Sequence, residues 1–282
     1  MSETVGVDFI YSYDGGDIGG KEDATATFSR DVSELAPTQG TGTSFRRRLT
    51  GLKDVQIDFD ALYLENATAV NGFSPTVTID PSGTPVDLQY ISEVTITLNR
   101  NLIEFANSQN SEYLARAGAV VDAEAEITVD TDVGQIYSTD SAGKLLIDAW
   151  DSTAGTEEVE IALPGGNTAF TSDWVVESFE DTSPAEDAKE MTFSLSSTGT
   201  ITETLATDLS SGLDGIITTV FATDPSSAEV KGTTSTTGSF EFFGPALPSS
   251  VEITIPVEGS EDGVTTSGTL EAAGAFTLQE TA

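Results

Sequence analysis

Residues 54–60 read Asp-Val-Gln-Ile-Asp-Phe-Asp, with an apolar side chain at every second position. Because successive side chains of a β-strand point to opposite faces of its sheet, this stretch places Val55, Ile57 and Phe59 on one buried face. The same alternation recurs at residues 24–28, 94–98, 125–129, 159–163, 191–195 and 251–255. One apolar and one polar face is typical of antiparallel sheets. The chain is therefore predicted to be mainly β, with an antiparallel β-sandwich or barrel as its main architecture.

Residues 101–120 depart from this alternation. Their apolar residues, among them Leu102, Phe105 and Leu114, are spaced in a way that suits helical turns. The stretch 110–116, Asn-Ser-Glu-Tyr-Leu-Ala-Arg, offers a polar cap followed by good helix formers. We expect one short helix here, lying across the β-sandwich.

Composition predicts two domains. Residues 205–214 are rich in Thr, Ser, Asp and Gly, and we place a boundary there between a β-sandwich domain (1–204) and a small β-rich domain (205–282). A chain as short as the second domain is only marginally stable alone. The segments 190–202 and 265–278 both run alternating residues into a Thr-rich strand with a glycine, which hints at a degenerate internal repeat.

The charge balance excludes several kinds of chemistry. The 282 residues include 47 Asp and Glu against 11 Lys and Arg, a net charge of -36, and neither His nor Cys occurs. Disulfides, a Cys/His zinc site, a thiolate nucleophile and a Ser-His-Asp triad are therefore impossible. Binding to nucleic acid through a basic surface is not expected either, because such binding needs Lys and Arg. A surface this acidic indicates a salt-adapted proteome, with an acidic mesophilic surface protein as the alternative.

Targeting and site signals are weak. The start, Met-Ser-Glu-Thr-Val-Gly-Val-Asp, has no basic or apolar signal region, and no apolar run reaches a membrane-spanning length, so we expect neither export nor a membrane anchor. Paired carboxylates such as Asp58 with Asp60 could serve a glycoside hydrolase, but composition alone produces such pairs. The acidic loops do not complete a calcium-binding motif. We predict no catalytic residue, no metal site and no cofactor.

Arg46, Arg47 and Arg48 stand together in a chain that otherwise avoids positive charge. They could pair locally with acids of an adjoining strand. Alternatively they form a clamp between subunits, since arginine binds carboxylates through two parallel hydrogen bonds. Both hypotheses stay open at this stage.

Four stretches occur in a recognisable order. Residues 19–31 read Gly-Gly-Lys-Glu-Asp-Ala-Thr-Ala-Thr-Phe-Ser-Arg-Asp, and after a Pro- and Gly-containing loop residues 49–63 read Leu-Thr-Gly-Leu-Lys-Asp-Val-Gln-Ile-Asp-Phe-Asp-Ala-Leu-Tyr. Residues 174–179 read Trp-Val-Val-Glu-Ser-Phe, and residues 183–201 read Ser-Pro-Ala-Glu-Asp-Ala-Lys-Glu-Met-Thr-Phe-Ser-Leu-Ser-Ser-Thr-Gly-Thr-Ile. Over residues 15–204 the chain resembles the major tail (tail tube) proteins of long-tailed phages, although Ala61 stands where that family often has Gly.

The resemblance implies a structural, non-enzymatic virion protein, here of a tailed virus of a halophile. Its subunit joins five others in a ring, and rings stack into a tube that conducts the genome. The implied partners are further copies of the chain and tail proteins such as terminator, tape measure and baseplate components. Viral DNA would pass through the lumen without specific binding, and no membrane is involved. The protein would be made in the host cytoplasm, and residues 205–282 would form an accessory domain on the outer surface.

The resemblance also implies roles for particular residues. One polar strand face could line the lumen, and its candidates are Asp54, Gln56, Asp58, Asp60, Glu124, Glu126 and Asp130; an acidic lumen would repel DNA phosphates, although salt adaptation alone would produce the same acids. Contact with the next ring is expected from the loop that holds Pro37, Gly40, Gly42 and Phe45. Two other functions stay open: a β-sandwich binding module on a haloarchaeal surface, and a carbohydrate hydrolase that uses an acid pair.

Overall fold

The computed structural model describes residues 9–18, 20–35, 47–65, 68–69, 75–106, 114–130, 141–153, 155–164, 167–182, 190–207, 209–222, 225–234, 240–256 and 263–280. Its helices are α1 (Ala142–Asp151) and α2 (Ser211–Phe221). Its strands are β1 (Phe9–Tyr13), β2 (Gly16–Asp17), β3 (Gly20–Leu35), β4 (Arg47–Leu62), β5 (Leu64–Glu65), β6 (Thr68–Ala69), β7 (Thr76–Ile79), β8 (Val86–Asp87), β9 (Ile91–Ala106), β10 (Leu114–Asp130), β11 (Thr156–Ala162), β12 (Ala169–Thr182), β13 (Glu190–Ser197), β14 (Thr202–Thr204), β15 (Ala228–Thr234), β16 (Phe240–Ile255), β17 (Thr265–Ala272) and β18 (Thr277–Glu280).

The strands join into one large antiparallel sheet of 16 strands, while β5 and β6 form a separate pair. This confirms the prediction of a mainly β, antiparallel protein. The central part of the sheet has the order β3-β4-β17-β16-β9-β10-β13-β12. From β12 the sheet continues through β11, β7 and β8, and from β16 it continues through β15, β1 and β2.

Two equivalent units build this sheet. In the first, β10 pairs with β13, β13 with β12, β12 with β11, and β11 with β7. In the second, β4 pairs with β17, β17 with β16, β16 with β15, and β15 with β1. We call residues 75–207 the inserted unit, because they lie in sequence between the two parts of the second one. That second unit, residues 9–65 with 209–280, is the split unit.

The units also share their irregularities. Residue n of β3 corresponds to residue n+70 of β9, and residue n of β4 to residue n+68 of β10, so that the pair Arg30–Lys53 matches the pair Arg100–Val121. Each hairpin has a register shift at its base and another midway, at matching positions. β12 and β16 likewise shift register at equivalent places. Because bulges break the ladder at particular residues, these matches align the units residue by residue.

The sheet does not divide at residue 205. β16 pairs with β9, and β17 pairs with β4, so strands from the last part of the chain lie between the two long hairpins. In the part of the chain that the structure describes, residues after 205 complete the split unit. The hint of a repeat between residues 190–202 and 265–278 coincides with equivalent strands, since β13 corresponds to β17 and β14 to β18.

The helix predicted over residues 101–120 is wrong. Residues 101–106 continue β9 and residues 114–120 belong to β10, and the two pair from Leu114–Ala106 onward; residues 107–113 lie outside the described part. Cross-strand pairing therefore overrides the local helix preference of Leu, Ala and Arg. Helices form instead at α1, where Ser141 accepts a capping hydrogen bond from the Lys144 backbone at 3.2 Å, and at α2, which begins inside the segment 205–214 where a domain boundary was predicted.

The apolar side chains form one buried core. It includes the alternating residues of β4, β9 and β16, among them Ile57, Ile96 and Ile253, each fully buried. α1 packs against β11 and β12, and α2 packs against β1, β2 and β16. No helix among the described residues has the length and hydropathy needed to cross a membrane. The opposite, polar face of the central strands remains open to solvent, and it carries most of the residues predicted to line a lumen.

Candidate functional surface: the acidic face of the sheet

Polar residues from six neighbouring strands lie side by side on one face of the central sheet. The register pairs join them in the order Asp60, Ser267, Glu252, Thr97, Glu124 and Ser196. A second row runs through Thr25, Asp58, Thr269, Ser250, Asn99 and Asp122. Directly paired residues point to the same side of an antiparallel sheet. These two rows, together with Glu126 and Glu177, are called the acidic face below.

Hydrogen bonds order the carboxylates of this face. Thr269 Oγ1 donates to Asp58 Oδ1 at 2.8 Å, and Gln56 Nε2 donates to the same carboxylate at 2.9 and 3.1 Å. On the other side of the face, Ser196 Oγ donates to Glu177 Oε1 at 2.6 Å. Hydroxyl and amide donors can satisfy an ionised carboxylate without adding positive charge. These hydrogen bonds therefore hold the side chains of the face in place without bringing a positive charge to it.

Two shallow hollows mark the acidic face. The first, about 400 Å³, is lined by residues that include Asp58, Asp60 and Glu252, and the second, about 300 Å³, by residues that include Glu124, Glu126 and Glu252. Glu252 belongs to both hollows and links them. No lysine or arginine lines either hollow among the residues that the structure describes. Repulsion between these acids is damped only by dissolved ions, with a Debye length of about 8 Å at physiological salt.

The predicted lumen residues share this face in part. Gln56, Asp58 and Asp60 lie on β4, and Glu124 and Glu126 lie on β10, with the strands β17, β16 and β9 between them. Asp130 occupies the matching side at the end of β10, where its backbone N–H donates to Tyr90 O at 2.8 Å. Sequence alternation placed each set on a polar face, and the structure places both sets on the same one.

Asp54 differs from the other candidates because an arginine covers it. Arg116 Nη1 donates to Asp54 Oδ1 at 2.6 Å, and Arg116 Nη2 donates to Asp54 Oδ2 at 2.9 Å. Arg116 also lies 3.0 Å from Glu104 Oε1 and 2.8 Å from Glu271 Oε2, and its side chain is 4% exposed. One buried cation thus meets three carboxylates from β4, β9 and β17, and it fastens the β9–β10 hairpin of the inserted unit onto the split unit.

The environment shifts the pKa values of this cluster. Burial opposes the charging of Arg116, but the hydrogen bonds that it donates to Asp54 and the charges of Glu271 and Asp54 outweigh burial, so the pKa of Arg116 is raised. The hydrogen bond from Arg116 is the main reason that the pKa of Asp54 lies below its usual value, against the effect of partial burial. Both groups are therefore charged over the whole physiological range of pH.

A second arginine spans the same junction. Arg100 of β9 is 3% exposed, and its Nε donates to Val220 O at 2.8 Å, while Nη2 donates to the carbonyls of Val220 and Ala222. These carbonyls end α2, where a cation also meets the negative end of the helix dipole. Arg100 thereby joins the inserted unit to the helix of the split unit.

The remaining predicted residues belong to the loop expected to contact the next ring and to the basic cluster that follows it. Pro37, Gly40, Gly42, Phe45 and Arg46 lie outside the described residues. Arg47 and Arg48 belong to β4 and pair with Leu35 and Glu34 through the backbone. The described residues contain no group of three or more acids arranged to hold a metal ion.

Sequence reasoning missed the central members of the acidic face, above all Glu252 and its neighbours Ser267 and Thr269. The alternation at residues 251–255 was visible, but the placement of those residues in a separate domain removed them from the candidate set. The role of Arg116 and Arg100 was also missed. The sequence does contain a signal for a repeated unit. Residues 93–100, Glu-Val-Thr-Ile-Thr-Leu-Asn-Arg, have the same alternation and the same final arginine as residues 23–30, Asp-Ala-Thr-Ala-Thr-Phe-Ser-Arg.

Comparisons with known proteins found similar folds only among solved structures. No family model matches the chain, and no curated protein matches it. One similar structure is a chain of the virion of a native gene transfer agent particle, with 12% identity, 48% of this chain and 99% of that chain covered, and a TM-score of 0.40. A second is in the tail of an empty gene transfer agent particle, with 12% identity, 48% and 99% covered, and a TM-score of 0.41. A third is the SPP1 tail tube, with 15% identity, 48% and 78% covered, and a TM-score of 0.34.

Proposed function

We propose that the chain is a structural virion protein, the tail tube subunit of a tailed virus of a halophile. Copies of it assemble into rings of six structural units, and the rings stack into a tube that conducts the genome. The acidic face lines the lumen. The partners are further copies of the chain, other tail proteins and the passing DNA, which is not bound specifically.

The observation that supports this proposal is the continuity of the acidic face across the central strands. Asp60, Glu252 and Glu124 belong to one cross-strand row, although they come from strands far apart in sequence. A sheet that is apolar on one side and uniformly polar on the other suits a wall between a packed core and an aqueous channel. The hollows are shallow, and their described lining carries mainly hydroxyls and carboxylates, with Phe59 as its one aromatic side chain, whereas ligand pockets are lined predominantly by apolar and aromatic groups.

The electrostatics of the face favour passage over binding. DNA carries about one phosphate charge per 1.7 Å of duplex, so a channel that held it by counterion release would need lysine and arginine. The acids of the face repel phosphates instead, and dissolved salt keeps the repulsion short-ranged. A hydrolytic role has less support, because a glycosidase needs an acid with a raised pKa inside a sugar-binding cleft. Burial raises the pKa of Glu157, but Glu157 lines neither hollow.

Electron microscopy of the purified chain tests this proposal. At several molar NaCl, where like charges are screened, we expect rings and hollow stacked tubes. A matched variant, with Glu124, Glu126 and Glu252 all changed to Lys, should form tubes that retain short duplex DNA after washing, whereas tubes of the unchanged chain should not. Particles that stay monomeric at every salt and protein concentration would overturn the proposal.

A further inference from the structure

The two units of one chain meet at a strand pair, and a contact between neighbouring chains can be derived from that pair by equivalence. β16 of the split unit pairs with β9 of the inserted unit over six register pairs, from Ser250–Asn99 to Ile255–Val94. β12 is the equivalent of β16, and β3 is the equivalent of β9. We propose that β12 of one chain pairs with β3 of the next chain in this same register, so that a ring of six units contains three chains. This inference rests on the proposed function for the number of units.

Within the described residues, the backbone edges needed for this contact have no second partner strand. Residues 25–30 of β3 pair only with β4 there, and residues 176–182 of β12 pair only with β13. The first half of β12 pairs with β11, as the first half of β16 pairs with β15. The second half of β16 then pairs with β9, and the second half of β12 has no such neighbour in the described residues. An unpaired strand edge of this length is a site for pairing with another chain.

Side chains at the two open edges also match the internal junction. Leu98 of β9 is fully buried there, but its equivalent Phe28 on β3 is 41% exposed. Val251 of β16 is fully buried, and its equivalent Phe179 on β12 is only half-buried beside Trp150, which is 50% exposed. The equivalence places Phe179 opposite the partner's Phe28, and such aromatic pairs stabilise neighbouring strands.

The arginines follow the same pattern. Arg30 corresponds to Arg100, and it is exposed, whereas Arg100 is buried against the carbonyl end of α2. The equivalent contact would bring Arg30 to the end of α1 in the partner. Arg48 corresponds in the same way to Arg116, and Asp122 corresponds to Asp54.

This contact joins different surfaces of the same chain, which is the arrangement that closes rings. With two units per chain, three chains supply six units, and the ring carries three times the net charge of -36, or -108. A hexamer of chains would carry twice as much. A ring of three chains therefore has less charge repulsion to overcome during assembly than a ring of six chains.

Cysteine cross-linking tests the register, and the absence of natural cysteines makes the background clean. The double variant Glu180→Cys with Thr27→Cys places one thiol on each open edge at positions equivalent to Glu252 and Thr97, which are paired inside the chain. The variant Glu252→Cys with Thr97→Cys is the positive control, since its thiols are neighbours within the chain. The variant Asp181→Cys with Thr27→Cys is the negative control, because its thiols lie on opposite faces and Phe28 and Phe179 are kept.

After oxidation in high salt, we expect the first variant to give a ladder of covalent dimers and trimers that stops at three chains. The internal control should give only a compact monomer, and the opposite-face control should give little product. A ladder that reaches six chains would overturn the three-chain ring. Absence of cross-links in tubes that electron microscopy shows to be intact would overturn the junction itself while leaving the proposed function standing. Absence of rings and tubes would overturn the proposed function.

Discussion

Arg116 and Asp54 are joined by two hydrogen bonds, of 2.6 and 2.9 Å, although they belong to different units of the chain. The arginine comes from the hairpin of the inserted unit and the carboxylate from the hairpin of the split unit. With Glu104 and Glu271 nearby, the pair is the main polar link across the junction. If neighbouring chains repeat this junction, its energetics also govern assembly.

Removing the cation should destabilise the chain strongly. In Arg116→Met, three carboxylates lose their partner in a site where the arginine is 4% exposed, so we expect a loss of about 3 kcal/mol in the free energy of unfolding. Urea denaturation in high salt measures it. Lys144→Met is the control, because Lys144 pairs with Asp148 on the exposed side of α1 and should cost under about 0.5 kcal/mol. Equal losses in both variants would contradict the role given to Arg116.

The contribution of the Asp54–Arg116 pair to the free energy of unfolding should depend on pH. The pKa of Asp54 is lowered in the folded chain, so its contribution to stability is present above the unfolded pKa and is lost as pH falls through the folded pKa. We therefore expect Asp54→Asn to be less stable than the unchanged chain at neutral pH, with the difference shrinking in acid. Unfolding curves over a range of pH check this. A difference that stays constant or grows on acidification would refute it.

Substitutions of Arg100 and Arg30 should have different effects on stability and assembly, although the two residues occupy equivalent positions in the two units. Arg100→Met leaves the carbonyl end of α2 without its donor, so we expect faster hydrogen exchange in α2 and lower stability of the single chain. Arg30→Met changes an exposed side chain, and we expect the stability of the single chain to stay within about 0.5 kcal/mol while ring formation is lost. Sedimentation distinguishes the two. Unimpaired ring formation by Arg30→Met would count against its contact with α1 of the partner.

Assembly should require salt, because each chain brings a charge of -36 to the ring. We expect rings to dissociate on dilution into low salt, where the Debye length grows to about 30 Å at 0.01 M. Neutralising the acidic face with Glu124→Gln, Glu126→Gln and Glu252→Gln should lower the salt concentration needed for assembly. The same number of Gln substitutions at Glu203, Glu229 and Glu280, away from that face, should have a smaller effect. Light scattering during salt titration measures the midpoint, and identical midpoints would argue against crowding of charge at the acidic face.

Much of the candidate surface could be predicted because strand alternation is local. The side chains of Asp58 and Glu126 were placed on polar strand faces from their immediate neighbours alone. The prediction of a helix at residues 101–120 was wrong because it used local preferences alone. Pairing between β9 and β10, which a local pattern does not show, determines the structure there. The inserted unit interrupts the split unit in sequence, so the matching strands of the two units do not follow one another at a constant spacing. The repeat is therefore recognisable in the sequence only as short separate segments.

The sequence by itself determined the acidic balance, the absence of His and Cys chemistry, and the two-residue alternation of the strands. These follow from composition and from the geometry of a single strand. Only the tertiary structure decided that Glu252 lies between Ser267 and Thr97, that Arg116 is buried among three carboxylates, and that residues 176–182 of β12 pair with β13 alone in the part of the chain that the structure describes. Which strands become neighbours depends on packing between segments that are distant in sequence, such as β9 with β16 and β4 with β17, and no local pattern encodes it.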